Sequence, residues 1–253
     1  MKSLVVAVAF LTRFPVGNLV SCDASDVARS AGWFPLVGVL LGLIYAGVAA
    51  LCKDHLPLVV VAVLLVMLDA LLTGALHYDG LADTLDGFGG GKDRDDVLRI
   101  MRDHNIGSFG GVALVVLVAL KATAYAALLG RSGWIAPVIL IPTLGRWSIL
   151  LLAAMLPYAR PSESVVRGMG KRSLVMGTLV LVVILAGSLT GSLSAAASLR
   201  ACIAVGAIVA VTFLFGRFCR RRIGGITGDT LGANLQIGEC TALLVFLWAT
   251  HAP

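Results

Sequence analysis

The sequence predicts an all-α, polytopic integral membrane bundle of about seven transmembrane helices plus interfacial amphipathic helices, in one domain covering residues 1–253. Three features of the chain require it. Apolar residues make up 58% and charged residues only 13%, against a usual charged share of about 25%, and mean hydropathy is +0.96. Apolar runs recur near the length of about 20 residues that a helix needs to cross a bilayer. Lys and Arg gather in alternate connecting segments. A soluble core of this size cannot hide so much apolar side chain, so much of it faces lipid. Disorder, coiled coil and a small disulfide scaffold are excluded on the same grounds.

The first element is short. Lys2 and the run Leu4–Leu11 imitate a signal peptide, but Arg13, Pro15 and the missing small-residue cleavage site favour an interfacial or re-entrant helix. Seven apolar stretches follow as spans: Ala31–Cys52, Leu56–Leu76, Phe109–Leu129, Trp134–Leu156, Leu174–Gly191, Leu199–Phe218 and Ile237–His251. Only Lys53, Asp54 and His55 separate the first two, which makes them a helical hairpin. Three connecting segments are basic: His77–Ser108 with Lys92, Arg94, Arg99 and Arg102; Pro157–Ser173 with Arg160, Arg167, Lys171 and Arg172; and Arg217–Ala233 with Arg217, Arg220, Arg221 and Arg222. Seven spans put all three on one side, and positive charge in short loops makes that side cytoplasmic. The net charge of +6 then reflects membrane topology, with no nucleic-acid partner. The five cysteines, Cys22, Cys52, Cys202, Cys219 and Cys240, are odd in number and form no CxxC, so they read as packing residues.

The chemistry concentrates in segments 77–108 and 217–239. Asp79, Asp83 and Asp86 stand at i, i+4 and i+7, which on a helix is one face. Three carboxylates so placed repel one another unless a cation sits among them. Hard oxygen ligands suit Mg²⁺ or Mn²⁺; the bland alternative is a solvated acidic helix end. Gly80 and Gly87 each follow an Asp, and glycine inside a helix costs up to about 1 kcal/mol, so they signal close approach of a ligand or another helix. Gly87–Lys92 misses the P-loop pattern twice, at Asp86 and Asp93, and reads as a flexible hinge. Asp93–His104 reads as an amphipathic helix lying in the membrane interface, with Val97, Leu98, Ile100 and Met101 as its apolar stripe.

In the second segment, Arg220, Arg221 and Arg222 precede GGITGDTLGAN, with Glu239 opening the last span. Arginines beside glycines and hydroxyls suit a phosphate-bearing ligand. Arg222, Thr227, Asp229, Asn234 and Glu239 are therefore candidates for holding substrate, although topology signalling alone explains some of the arginines. Arg146, inside a predicted span, faces a cavity or a partner carboxylate, or else marks a span end. Asp69 and Lys121 also fall within spans, without a supporting motif. His77 is a candidate ligand or base, whereas His55, His104 and His251 read as ordinary polar groups.

Taken together, HYDGLADTLDG, IMRDHNIGSFG and GGITGDTLGAN…E resemble the cobalamin (5'-phosphate) synthase family, with support from FLTRFPVG, GWFPLVGVLLG and LGRW. Tyr78 stands where that family more often has an aliphatic residue. The resemblance runs from the N-terminus to the last span. It implies a multi-pass enzyme of the bacterial inner membrane, dependent on Mg²⁺, with its active site facing the cytoplasm. Its substrates would be adenosylcobinamide-GDP and α-ribazole or its 5'-phosphate, and GMP would leave. On that footing Asp79, Asp83 and Asp86 hold the metal, Arg102, Arg146 and Arg222 neutralise phosphate oxygens, and Asp83 or Asp103 accepts the hydroxyl proton. Two rivals stand beside it. A transporter would place its polar groups near mid-membrane. A CDP-alcohol phosphotransferase would have Arg after Ala82, where this chain has Asp83.

Overall fold

The computed structural model describes residues 2–16, 23–103, 105–160, 169–191 and 195–248. Cys22, His104, Arg167 and His251 lie outside them. Apart from an isolated bridge between Tyr158 and Ile226, the described residues form helices and their connections. The helices are α1 (Lys2–Leu11), α2 (Ala24–Ser30), α3 (Phe34–Cys52), α4 (Leu58–Thr73), α5 (Leu76–Gly90), α6 (Arg94–Ile100), α7 (Ser108–Leu129), α8 (Ile135–Met155), α9 (Lys171–Gly191), α10 (Ala195–Ile223) and α11 (Gly228–Trp248).

Among the described residues, five helices are long and apolar enough to cross a membrane: the one ending α3, then α7, α8, α10 and α11. The pair α4 and α5 makes a sixth if it is counted as one span bent by 91°. The count of seven is therefore not reached, although α9 covers the expected span Leu174–Gly191 as a helix. Apolar side chains such as Leu51, Val115, Val183 and Trp248 stand more than two-thirds exposed, as a lipid-facing surface requires.

Two predicted boundaries move for physical reasons. The second span was expected to run to Leu76, but α4 stops at Thr73. Gly74 (φ 63°) and Ala75 (φ 56°) are both left-handed, and for Ala75 that conformation costs about 1–2 kcal/mol. The break is tied by Ala75 N donating to Ala70 O at 2.7 Å and by Arg13 N donating to Leu72 O at 2.7 Å. The last span was expected from Ile237, but α11 starts nine residues earlier, at Gly228. Thr227 and Thr230 cap it reciprocally, with Thr227 N donating to Thr230 Oγ1 at 2.8 Å and Thr230 N to Thr227 Oγ1 at 3.3 Å. The added turns carry Asn234 and Gln236, both buried against protein like Glu239 just beyond them, so hydropathy missed them.

The helices approach closely through glycine. A Cβ on Gly38 would sit 2.5 Å from Thr143 Cα, and one on Gly42 would sit 2.5 Å from Ile139 Cα. This Gly-xxx-Gly stripe seats α3 against α8, as small residues do between membrane helices.

An ion network lies at the centre. Lys121 Nζ on α7 reaches Glu239 Oε2 on α11 at 2.6 Å and Asp69 Oδ2 on α4 at 3.1 Å. Arg146 on α8 pairs with Glu239 and stands 3.5 Å from Asp69. Tyr45 on α3 and Tyr78 on α5 donate to Asp69 at 2.7 and 2.8 Å, and Lys121 donates to Gln236 at 3.0 Å. Tyr45, Lys121, Arg146 and Glu239 lie near the middle of their helices, roughly 10–20 Å from the ends.

The three basic segments meet at one end of the bundle, as their parity requires. Arg94 donates to Ile223 O and Ala159 O, and Arg160 donates to Leu98 O. The amphipathic segment forms α6, capped by Asp93. Its stripe was expected to face the membrane interface. Instead Val97, Leu98 and Met101 pack with Phe88, Cys219 and Ile223, because the end of α10 offers a protein surface for them to cover.

Removing one member of the central network leaves an unbalanced buried charge, which costs about 3–5 kcal/mol. Lys121→Met is expected to lower the thermal midpoint of the detergent-solubilised protein strongly. Adding Glu239→Gln restores the balance and should recover part of that loss. Additive losses in a double-mutant cycle would show that the two groups do not act as a pair.

Candidate active site

The site begins with a close crossing of α5 and α11. A Cβ on Gly80 would meet Asp229 O at 2.9 Å, and one on Gly232 would meet His77 Cα at 3.3 Å. Gly87 is likewise covered by α6 and the residue that ends it: a Cβ would lie 3.1 Å from Val97 O and 2.5 Å from Met101 Cγ. The two glycines expected to mark close approach therefore both receive another helix.

The crossing brings the acidic face of α5 to the start of α11. Asp83 is partly buried and feels the like charges of Asp79, Asp229 and Asp86, with Arg160 as an opposing charge. Arg160 Nη1 stands 3.8 Å from Asp229 Oδ2, and Thr227 Oγ1 donates to the same oxygen at 3.2 Å. Beside these groups is a cavity of about 140 Å³, bounded by α1, α3, α5, α8 and α11, with His77, Asp79 and Asp229 on its wall.

Other predicted site residues have different tasks. Asp86 is buried, and its carboxylate accepts from Gly107 N at 2.8 Å and Gly110 N at 2.9 Å, which satisfies free amides at the start of α7. Arg222 Nη2 donates to Phe88 O at 2.7 Å and Gly91 O at 2.8 Å, so it caps the last carbonyls of α5. Asn234 Nδ2 donates to Ser148 O at 2.9 Å, joining α11 to α8. Arg146 and Glu239 belong to the central ion network. Asp103 and Arg102 are exposed beyond α6, and Asp103 accepts from Asn105. Thr227 and Asp229, candidates for holding substrate, stand beside the acidic cluster.

Sequence reasoning passed over three roles. Arg160 was counted only as a topology marker, and nothing local to it distinguished it from its basic neighbours. Arg94 joins all three basic segments, a role visible only once they meet. Asp69 and Lys121 did leave a signal. With Arg146 and Glu239 they form two cations and two carboxylates inside apolar spans, and that equality is what mutual burial demands.

Fold and site define a multi-pass membrane protein carrying an acidic cluster beside a mainly apolar pocket at the basic end of its helical bundle. Comparison with known proteins narrows the class. The family model described as cobalamin-5-phosphate synthase matches residues 3–247, and the chain belongs to that family. Relatives named adenosylcobinamide-GDP ribazoletransferase include one from Clostridium botulinum (strain Langeland), 34% identical over 98% of both chains. Another, from Syntrophobacter fumaroxidans, is 37% identical over 94% of both. A third, from Pseudomonas paraeruginosa, is 39% identical over 96% of this chain and 97% of its own. No solved structure matches the chain.

Asp86→Asn leaves one acceptor oxygen for two amides and is expected to destabilise the protein by about 1 kcal/mol or more. Asp83→Asn removes a charge from a crowd of like charges and should leave stability unchanged or higher. Thermal unfolding of both variants in detergent tests this. Equal destabilisation by the two would contradict the separate roles.

Proposed function

We propose that the protein transfers the cobinamide-phosphate group of adenosylcobinamide-GDP to α-ribazole or α-ribazole 5'-phosphate, releasing GMP. The observation that carries the proposal is the meeting of Asp79, Asp83 and Asp229 beside Arg160, in a chain that matches the family along nearly its whole length. A hydroxyl oxygen of the ribazole attacks the phosphorus bound to cobinamide. The new P–O bond forms as the bond to the GMP oxygen breaks, and the hydroxyl proton passes to a carboxylate. Asp83, at the centre of the cluster, is the group assigned to accept it. In-line displacement at phosphorus needs positioning and charge neutralisation more than covalent help. Arg160 is placed to meet a phosphate oxygen, and the α5–α11 crossing holds the carboxylates in register.

Mg²⁺ fits this donor set. Among the described residues no three acidic, His or Cys side chains are grouped so as to hold a metal by themselves. Mg²⁺ commonly takes one or two carboxylates and completes its shell with water and substrate phosphate. Asp79 and Asp229 would hold it, while Asp86 has both oxygens committed to α7. When bound, the ion supplies neutralising charge at the diphosphate.

The central polar groups are paired with one another, which removes the mid-membrane site that a transporter would use. A CDP-alcohol phosphotransferase is disfavoured by Asp83 and by the family assignment. The protein is assigned to the bacterial inner membrane, with the pocket facing the cytoplasm.

Purified protein in detergent should release GMP from adenosylcobinamide-GDP only with α-ribazole and Mg²⁺ present, and EDTA should stop it. Asp83→Asn should lower turnover about 100-fold or more. Near-normal turnover in Asp79→Asn, Asp83→Asn and Asp229→Asn alike would sink the proposal. Sidedness is tested in a cysteine-free background. Cysteine at Lys92 should label only from the cytoplasmic side and cysteine at His55 only from the outside; the reverse pattern would invert the topology.

A further inference from the structure

The cavity beside the acidic cluster has two unlike sides. One is apolar: Phe10 on α1 and Phe34 at the start of α3 stack with ring centroids 5.9 Å apart and an interplanar angle of 15°, and Leu11 and Ile149 continue the wall. The other side carries His77, Asp79 and Asp229. A volume of about 140 Å³ is close to that of an apolar protein cavity that accepts one benzene ring, about 150 Å³.

His77 is the informative residue. It is 97% buried, 3% of its surface being exposed, and it lines the cavity. Its imidazole makes no hydrogen bond to another described residue, and its nitrogens are not among the atoms sealed off without a partner, so they open to the cavity they line. An imidazole that faces a mainly apolar cavity with its hydrogen-bonding capacity uncommitted to protein can bond a ligand seated there.

We infer that this cavity seats the aromatic base of the acceptor nucleoside, with the His77 imidazole donating a hydrogen bond to the base's unsubstituted ring nitrogen. The inference rests on the transfer reaction proposed above. Three chemical points select this occupant. The corrin ring is far larger than the cavity. Guanine presents several donors and acceptors around its edge, which a mainly apolar wall would leave unpaired. A benzimidazole-type base joined to ribose through one nitrogen has a single free ring nitrogen and otherwise apolar edges, matching one polar group in an apolar setting. With the base seated there, its ribose emerges at Asp79 and Asp229, where the reacting hydroxyl must be.

The test measures both Michaelis constants and the direct binding of α-ribazole in detergent. His77→Phe keeps the ring but removes the donor. It should raise KM for α-ribazole about 10-fold and leave KM for adenosylcobinamide-GDP within about twofold, a tenfold change being that of one hydrogen bond of ordinary net strength. His77→Gln, which retains an N–H donor, should recover part of the loss. Phe10→Ala, a milder change to the wall, should also raise KM for α-ribazole. Unchanged α-ribazole KM in both His77→Phe and Phe10→Ala would overturn the inference, as would a rise confined to the adenosylcobinamide-GDP KM. If the wild-type protein releases no GMP with any acceptor, the transfer reaction itself has failed. Titration of α-ribazole then decides the pocket alone: weaker binding to His77→Phe supports it, and equal binding overturns it.

Discussion

Two buried cations facing two buried carboxylates hold this molecule together. Lys121, Arg146, Asp69 and Glu239 come from four different helices, and none can be left unpaired in the low-dielectric centre of the bundle. A charge stranded there costs several kcal/mol, so the helices must arrive in the one arrangement that matches every charge. Replacing such a set with apolar residues can be neutral for stability. Its value here lies in specifying position among helices whose lipid-facing surfaces are otherwise interchangeable. Tyr45 and Tyr78 extend the constraint to α3 and α5 by donating to Asp69.

The geometry of the acidic cluster inherits that constraint through α5. This helix leaves α4 at 91° across two left-handed residues, a joint that does not by itself define a direction. Three attachments supply one. Tyr78 ties its first turn to Asp69, Asp86 ties its later part to the amides opening α7, and Arg222 closes its final carbonyls. Asp79 and Asp83 lie between the first two attachments. The Gly80–Gly232 crossing then admits Asp229 to the same space. The result is a concentration of negative charge beside Arg160. The neighbouring cavity is mainly apolar and shares Asp79 and Asp229 with that cluster.

The fold class was legible because lipid exposure leaves a compositional mark on any sequence. The acidic repeat was legible because a spacing of i, i+4 and i+7 has a meaning on a helix before any partner is known. The same logic failed at Asp86, since spacing places a carboxylate on a face without saying what approaches that face. Arg222 and Arg160 show a similar limit. Both are arginines in basic segments; one closes a helix end and the other meets an aspartate, and only the meeting of three segments separates them. The last span shows why hydropathy misplaces a boundary. Asn234, Gln236 and Glu239 lower the average, yet they face protein and never meet lipid.

The sequence by itself determined the all-helical membrane class, the side on which the basic segments gather, the acidic helix face and the family resemblance. Each of these depends on local composition or on spacing along one element. Tertiary structure alone decided that Asp229 joins Asp79 and Asp83 while Asp86 caps α7. It also decided that Arg146 and Glu239 lock the core, and that His77 faces a cavity. Those outcomes depend on which helices touch, and helix contacts are set by close approach at glycine and by charge balance between residues distant in the chain.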